Sequence, residues 1–302
     1  MTHTAPLRIL SWNIQSGKDC DGRINLRRIA DYIRDRETPH ILCLQEVARH
    51  FDCYTTPDMP DQLAFLCAAF PDHTPVWGAS LSWPHSGPLR REFGNLTLVS
   101  TPLLDSRVHS LPATGTERTP GAKQTPRCAV ETIVTWGAAP LRIFNTHLAY
   151  HCEHERAAQL RHLCALQEQA EWLTDSPPAE GHGIFSQQAH TARTVLCGDL
   201  NLDSRSEQYC WLLHQGWQDA WTSTLPAPES ATTDHNPPAA RPPTCGVFDA
   251  DQWPQGPHCR DYFLLRNLVP SGIVSMTVDT FTDYSDHQPI LLTLGTAPHD
   301  NA

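Results

Sequence analysis

Apolar and polar positions along this chain alternate between two periods. Residues 7–14 (L-R-I-L-S-W-N-I) form a mostly apolar, β-branched run of strand length. From Leu26, apolar residues recur at Ile29, Ala30 and Ile33, the three- and four-residue steps of an amphipathic helix. Asn25 stands before that helix as a cap, and Pro39 stops it. The same reading predicts a strand over 41–44 and a helix over 61–70 with Leu63, Leu66, Cys67 and Phe70 on one face. Strands follow over 96–99, 129–135 and 141–146, then a long helix over 153–173 striped by Leu160, Leu163, Cys164 and Leu166. A strand over 194–197, a helix over 207–214 and strands over 261–265, 273–278 and 289–294 close the pattern. Two stretches, 176–193 and 222–243, read as mobile loops, the second with six prolines. Neither separates two self-contained halves, so the expectation is one α/β domain over 1–297 with a tail at 298–302.

Composition narrows this picture. With 302 residues and 40% apolar content the chain can bury a sizeable core. No apolar run reaches the ~18 residues of a membrane span. The opening residues lack the basic-then-apolar pattern of a secretory signal, and a cytoplasmic location is expected. Eleven cysteines, an odd number with no C-x-x-C spacing, read as small apolar filler in a reduced protein. A net charge of −11 argues against a protein that lives by non-specific attraction to nucleic acid or anionic membrane, and tight binding of duplex DNA is not expected. Only Lys18 and Lys123 among 22 basic residues are lysine, so arginine carries any cationic site.

The polar residues at strand ends carry the chemistry. Asn13 sits inside the first apolar strand. Glu46 follows Leu-Cys-Leu-Gln, and His147 follows Arg-Ile-Phe-Asn-Thr. Asp199 and Asn201, two apart, fall on one side of an extended chain. Asp261 opens a strand, and Asp286-His287 precede the last one. Any one such residue is an ordinary turn-former. Six strand ends bearing Glu, Asp, Asn and His describe a Mg²⁺ or Mn²⁺ phosphoester site.

The segments S-W-N-I (11–14), L-Q-E-V (44–47), G-N-L-T-L-V-S (94–100), N-T-H-L (145–148), G-D-L-N (198–201) and S-D-H-Q-P (285–289) resemble, in order and spacing, the signatures of the endonuclease/exonuclease/phosphatase superfamily. The opening W-N-I-Q-S-G-x-D-x-D-G-R is most similar to a bacterial branch of metal-dependent hydrolases. The resemblance implies a four-layer αββα sandwich: two mixed sheets face to face, helices outside, and the site where the strand tips meet. It implies Glu46 as the main metal carboxylate, with Asn13 beside it and Asp286 contributing a second. Asp199 would orient or deprotonate the attacking water, and Asn201 would hold a phosphoryl oxygen or that water. His287, held by Asp261, would stabilise developing charge, and His147 would face the phosphate as electrophile or acid. Asn95 and Arg91 are the candidate substrate contacts.

Departures from the family pattern matter too. His258-Cys-Arg-Asp-Tyr262 places an arginine one position later than the Arg-Ile-Asp-Tyr of many members. Gln15 stands where abasic-site endonucleases carry an acid. The pair Thr146-His147 is similar to deoxyribonuclease-like and sphingomyelinase-like members, away from DNA repair. His147, His151 and His154 have the look of a zinc cluster, but a strand end and a helix start need not converge. Arg90-Arg91 is read as part of a loop over 82–93, and Arg127 as structural. The resulting expectation is a metal-dependent phosphodiesterase. The alternatives are a nuclease on DNA or RNA, a phospholipid headgroup hydrolase, a small-molecule phosphatase, and an inactive binding module of the same fold.

Overall fold

The computed structural model describes residues 6–36, 38–113, 124–137, 139–186, 188–225, 241–269 and 272–295. Most of the expected loop over 222–243, the tail at 298–302, and Lys123 lie outside them.

The first sheet contains β1 (Leu7–Asn13), β2 (Ile41–Arg49), β3 (Thr74–Pro84), β4 (Arg90–Val99), β11 (Ile273–Val278) and β12 (Ile290–Leu294), in the order β11-β12-β1-β2-β4-β3. The second contains β5 (Leu103–Ser110), β6 (Cys128–Trp136), β7 (Ala139–His147), β8 (Thr194–Asp199), β9 (Gln218–Asp219) and β10 (Asp261–Arg266), in the order β5-β6-β7-β8-β10-β9. Helices α1 (Leu26–Asp35) and α2 (Gln62–Ala69) cover the first sheet, and α3 (Glu153–Asp175) and α4 (Glu207–His214) the second, with a single turn α5 (Ala220–Ser223) after β9. Asn25 does cap α1, accepting from Arg28 N, and Asp61 caps α2.

Side-chain alternation explains the four layers. Ile9, Ile41, Cys43, Ile143, Val195, Cys197 and Phe263 point between the sheets and form one buried core. Their neighbours Leu10, Trp12, Leu42 and Leu44 point outward, under Leu26, Ile29, Ile33 and Leu66 of α1 and α2. Phe144, Leu196 and Leu264 do the same under Leu160, Leu163 and Leu212 of α3 and α4. Strands buried on both faces read as continuous apolar runs, so these centres were legible. The architecture is the expected sandwich of two mixed six-stranded sheets with helices outside.

Several boundaries differ from the sequence pattern. The strand expected over 41–44 runs on to Arg49 through a bulge between Leu44 and Val47. The loop expected over 82–93 is largely a hairpin, with Trp83 opposite Arg91 and Pro84 opposite Arg90. Strands β3 and β5, unpredicted, each form one edge of a sheet, opposite β11 and β9 respectively. An edge strand packs on fewer sides, so polar residues replace the apolar run; β5 alternates half-buried and exposed along its whole length.

Candidate active site

Pairs β1/β2 and β7/β8 are parallel, so their C-terminal ends share one edge of the sandwich. On β1 the inward parity that buries Ile9 and Ser11 continues to Asn13. On β7 it passes from Ile143 and Asn145 to His147; on β8, from Val195 and Cys197 to Asp199. On β10 the same face carries Phe263 and, first in the strand, Asp261. His147 and Asp261 both pair in register with Asp199, one on each side. Three functional side chains thereby occupy one rung. Gly198 permits this: a Cβ there would collide with the Thr146 carbonyl, and its φ is +133°.

Glu46 has the wrong parity. Leu42 and Leu44 face the helices, and simple alternation would send Glu46 after them. The bulge, with Glu46 at φ +61°, turns the carboxylate back toward Asn13. A left-handed glutamate costs about 1 kcal/mol or more, strain of the kind that collects at functional sites. Beneath it, Gln45 keeps the inward direction. Its Nε2 donates to Asn145 Oδ1 (2.7 Å), while Asn145 Nδ2 donates to the Leu96 carbonyl (3.0 Å) and Thr97 Oγ1 (3.2 Å). These buried amides join the sheets directly under the site. The chain around Ser16, also at positive φ, closes over Glu46, with Ser16 Oγ donating to its carbonyl (2.8 Å).

Asp199 is the hub. Its Oδ2 accepts from Asn13 Nδ2 (3.1 Å) and lies 3.3 Å from His147 Nε2 and 3.6 Å from His287 Nε2. Asn13 Nδ2 also reaches Glu46 Oε1 (3.2 Å), and His147 Nδ1 is 3.7 Å from that same oxygen. The other ring nitrogen of His287, Nδ1, is 2.8 Å from Asp261 Oδ2. Gln252 Nε2 donates to Asp286 Oδ2 (2.6 Å). Beyond Asp199 the chain is not extended, contrary to the expectation for Asp199 and Asn201. Asn201 adopts φ +51°, its backbone N–H donates to Asp199 Oδ1 (3.0 Å), and its amide donates to the Leu148 carbonyl (3.1 Å). A local side-chain turn replaces strand alternation there. Arg260, the displaced arginine of the family pattern, donates to the Asn201 carbonyl (3.0 Å) and braces that turn.

Burial dominates the electrostatics. It pushes the Glu46 carboxyl up to about 7, helped by repulsion from Asp286. Burial likewise raises Asp199 and Asp286. His287 is held well above the ordinary histidine value: burial opposes this, but Asp261, Asp199 and Asp286 overcome it. His147 is pushed well below by burial and by the charges of Arg127 and His287. Arg127, read as structural in the sequence, is half-buried just before β6; its buried Nε has no hydrogen-bond partner among the described residues, and its charge lowers the Glu46 carboxyl. Gln45, Asn145 and Gln252 are the neighbours that sequence reasoning did not place at the site. The first two lie within recognisable motifs; Gln252 lies in a loop with no such signal.

The structure thus brings together Asn13, Glu46, His147, Asp199, Asn201, Asp261, Asp286 and His287. Asn95 and Arg91 are engaged elsewhere. Asn95 Nδ2 donates to the Cys128 carbonyl (3.0 Å), and Arg91 lies 3.7 Å from Asp52. Among the described residues, the one His/acid group with closely converging donors is Asp199, Asp261 and His287. There Asp261 takes up His287 Nδ1, Nε2 faces Asp199, and the carboxylates hold the ring pKa well above the ordinary value, which disfavours the neutral imidazole that a cation needs. The donors that fit a hard divalent ion are the Glu46 and Asp286 carboxylates, whose mutual repulsion a cation would relieve; the adjacent Asn13 amide has its oxygen on the Gln15 N–H and its Nδ2 on Glu46. His147, His151 and His154 form no such group.

Sheet order, strand-tip placement and this cluster together define a protein of the deoxyribonuclease-I-like αββα class. The chain belongs to the Endonuclease/Exonuclease/phosphatase family, whose sequence profile matches residues 10–287. Members of that family are in general hydrolases of phosphoester bonds. The fold is similar to that of an endonuclease/exonuclease/phosphatase from Beutenbergia cavernae (22% identity, TM-score 0.66, covering 97% of this chain and 72% of that one). It is similar to one from Bacteroides vulgatus (18%, 0.64, 97% and 99%) and to truncated Caenorhabditis elegans TDP2 (19%, 0.56, 96% and 97%). No curated protein sequence matches the chain. Among the described residues, no helix is long and apolar enough to cross a membrane.

Proposed function

We propose that this protein hydrolyses a phosphodiester, by in-line attack of water, in a divalent-metal-dependent reaction. The observation that carries the reading is the position of Asp199, a buried carboxylate 3.1–3.6 Å from one amide and two imidazoles. Burial raises its proton affinity, which suits a group that takes a proton from water. His287, charged and fixed by Asp261, offers Nε2 to the developing charge on the phosphoryl oxygens. His147, kept neutral, supplies an imidazole beside the same oxygens and orients through Asp199. Asn201 lends the polar wall next to the water. Mg²⁺ or Mn²⁺ bound by Glu46 and Asp286 beside Asn13 supplies, when present, charge neutralisation at the non-bridging oxygens.

The eleven cysteines, none paired, support a reducing compartment such as the cytoplasm. The test is Asp199→Asn, assayed against a panel of phosphodiesters with Mg²⁺ and with Mn²⁺. The expected result is loss of kcat by on the order of 10²–10⁴ with the fold retained. A change confined to KM makes Asp199 a binding residue instead and overturns the assignment.

A further inference from the structure

Four aromatic rings run in file away from the catalytic cluster: Phe93 of β4, Tyr54 and Phe51 of the turn after β2, and Trp83 of β3. Successive ring centroids are 5.9, 6.1 and 5.8 Å apart. Aromatic pairs at such spacings stabilise a hairpin whether or not their faces meet water. Two of the four also meet water: Tyr54 is 45% exposed and Trp83 53%, while Phe51 and Phe93 are half-buried between them.

The near end of the row is tied to the site. Gln62 Nε2 donates both to the Tyr54 carbonyl (2.9 Å) and to the Ser16 carbonyl (2.6 Å), and Ser16 Oγ holds the Glu46 carbonyl. The far end is flanked by cations. Arg91 is the cross-strand neighbour of Trp83, and Arg90 is that of Pro84. Arg90 leans on Ser82, and the Arg91 side chain remains 38% exposed, its 3.7 Å contact being to a nearly fully exposed Asp52.

We propose that this row is a stacking subsite for an unpaired nucleobase joined to the scissile phosphodiester. The proposal rests on the phosphodiesterase reading and adds the class of substrate. A planar base can stack on the exposed Trp83 or Tyr54 ring, which the edge and tilted contacts of Phe51 and Phe93 hold in place, and sequence-tolerant base–aromatic stacking is an established way to hold single-stranded nucleotides. A quaternary ammonium also suits aromatic faces, but Arg91, on the same face as Trp83, repels a cation there and attracts a further phosphate. Bases in a duplex are stacked on each other and have no face to offer, which agrees with a chain of net charge −11.

The experiment compares kcat/KM for the dinucleotide thymidylyl-thymidine with that for glycerophosphocholine, in the wild type, Trp83→Ala and Trp83→Phe. The dinucleotide-to-glycerophosphocholine ratio is expected to fall about tenfold in Trp83→Ala, mainly through KM, and to recover in Trp83→Phe. An unchanged ratio overturns the subsite, and a rising ratio assigns the row to an ammonium group. A second measurement does not need turnover. Asp199→Asn protein, with and without Trp83→Ala, is titrated calorimetrically with tetrathymidylate, and affinity is expected to fall about tenfold with the ring removed. Equal affinities overturn the row. Ring-dependent binding with no hydrolysis of any phosphodiester by the wild type keeps the row and sinks the hydrolytic reading.

Discussion

His287 Nδ1 lies 2.8 Å from Asp261 Oδ2, and both side chains are buried. The contact fixes the ring so that Nε2 faces Asp199, and with Asp199 and Asp286 it holds the imidazole pKa well above the ordinary histidine value. Activity that needs the charged ring is lost as pH rises through its elevated pKa. Asp261→Asn removes one of the carboxylates that hold the pKa up, so the alkaline limb of the kcat/KM profile is expected to move to lower pH. The double variant Asp261→Asn/His287→Ala is expected to cost little more than His287→Ala alone, because the residues act as a unit. Multiplicative losses in a double-mutant cycle would contradict this.

Glu46 makes a linked prediction about stability and metal. Its carboxyl is raised from the usual range to about 7, so without a cation the folded protein binds an extra proton between about pH 4.5 and 7. Its ionisation above pH 7 therefore destabilises the metal-free fold by on the order of 2 kcal/mol, part of the full effect because the side chain is a quarter exposed. In chelator at pH 8, Glu46→Gln is expected to melt a few degrees higher than wild type, yet to lose the stabilisation that Mg²⁺ or Mn²⁺ gives the wild type. Full activity of the wild type in excess chelator would end the metal-dependent reading.

Arg127 acts on the same carboxyl from the other side. Its positive charge lowers the Glu46 pKa, and its Nε has no hydrogen-bond partner among the described residues. Arg127→Met is expected to raise the Glu46 pKa further and to shift the pH dependence of Mn²⁺ affinity upward. Calorimetric titration with Mn²⁺ at pH 6, 7 and 8 reads this directly; unchanged affinity at every pH would make Arg127 purely structural.

Duplex DNA is expected to bind weakly. Non-specific affinity comes from basic groups releasing counterions, and 33 acidic residues here face 22 basic ones. Asp199→Asn protein titrated into a labelled duplex with Ca²⁺, at several salt concentrations, is the check. A micromolar or tighter Kd at physiological salt with a steep salt slope would reverse the expectation.

The sequence by itself determined the layers and most of the site. Strands β1, β2, β7, β8 and β10 are buried on both faces, so each reads as an apolar run, and a polar residue at such a strand's tip stands out against it. Asn13, His147, Asp199 and Asp261 continue the inward parity of their own strands, and in the sequence they show as polar strand tips within motifs that resemble those of the superfamily. Tertiary structure decided what local pattern cannot encode. Glu46 is aimed by a bulge whose cause is pairing with β4, and Asn201 by a turn that Arg260 braces from β10's approach. Gln45 and Asn145 meet across the sandwich, 100 residues apart, because their strands face one another in different sheets. The edge strands β3 and β5 escaped the pattern for the complementary reason. Packed on fewer sides, they needed no continuous apolar run, and only their partners β4 and β6 make them strands.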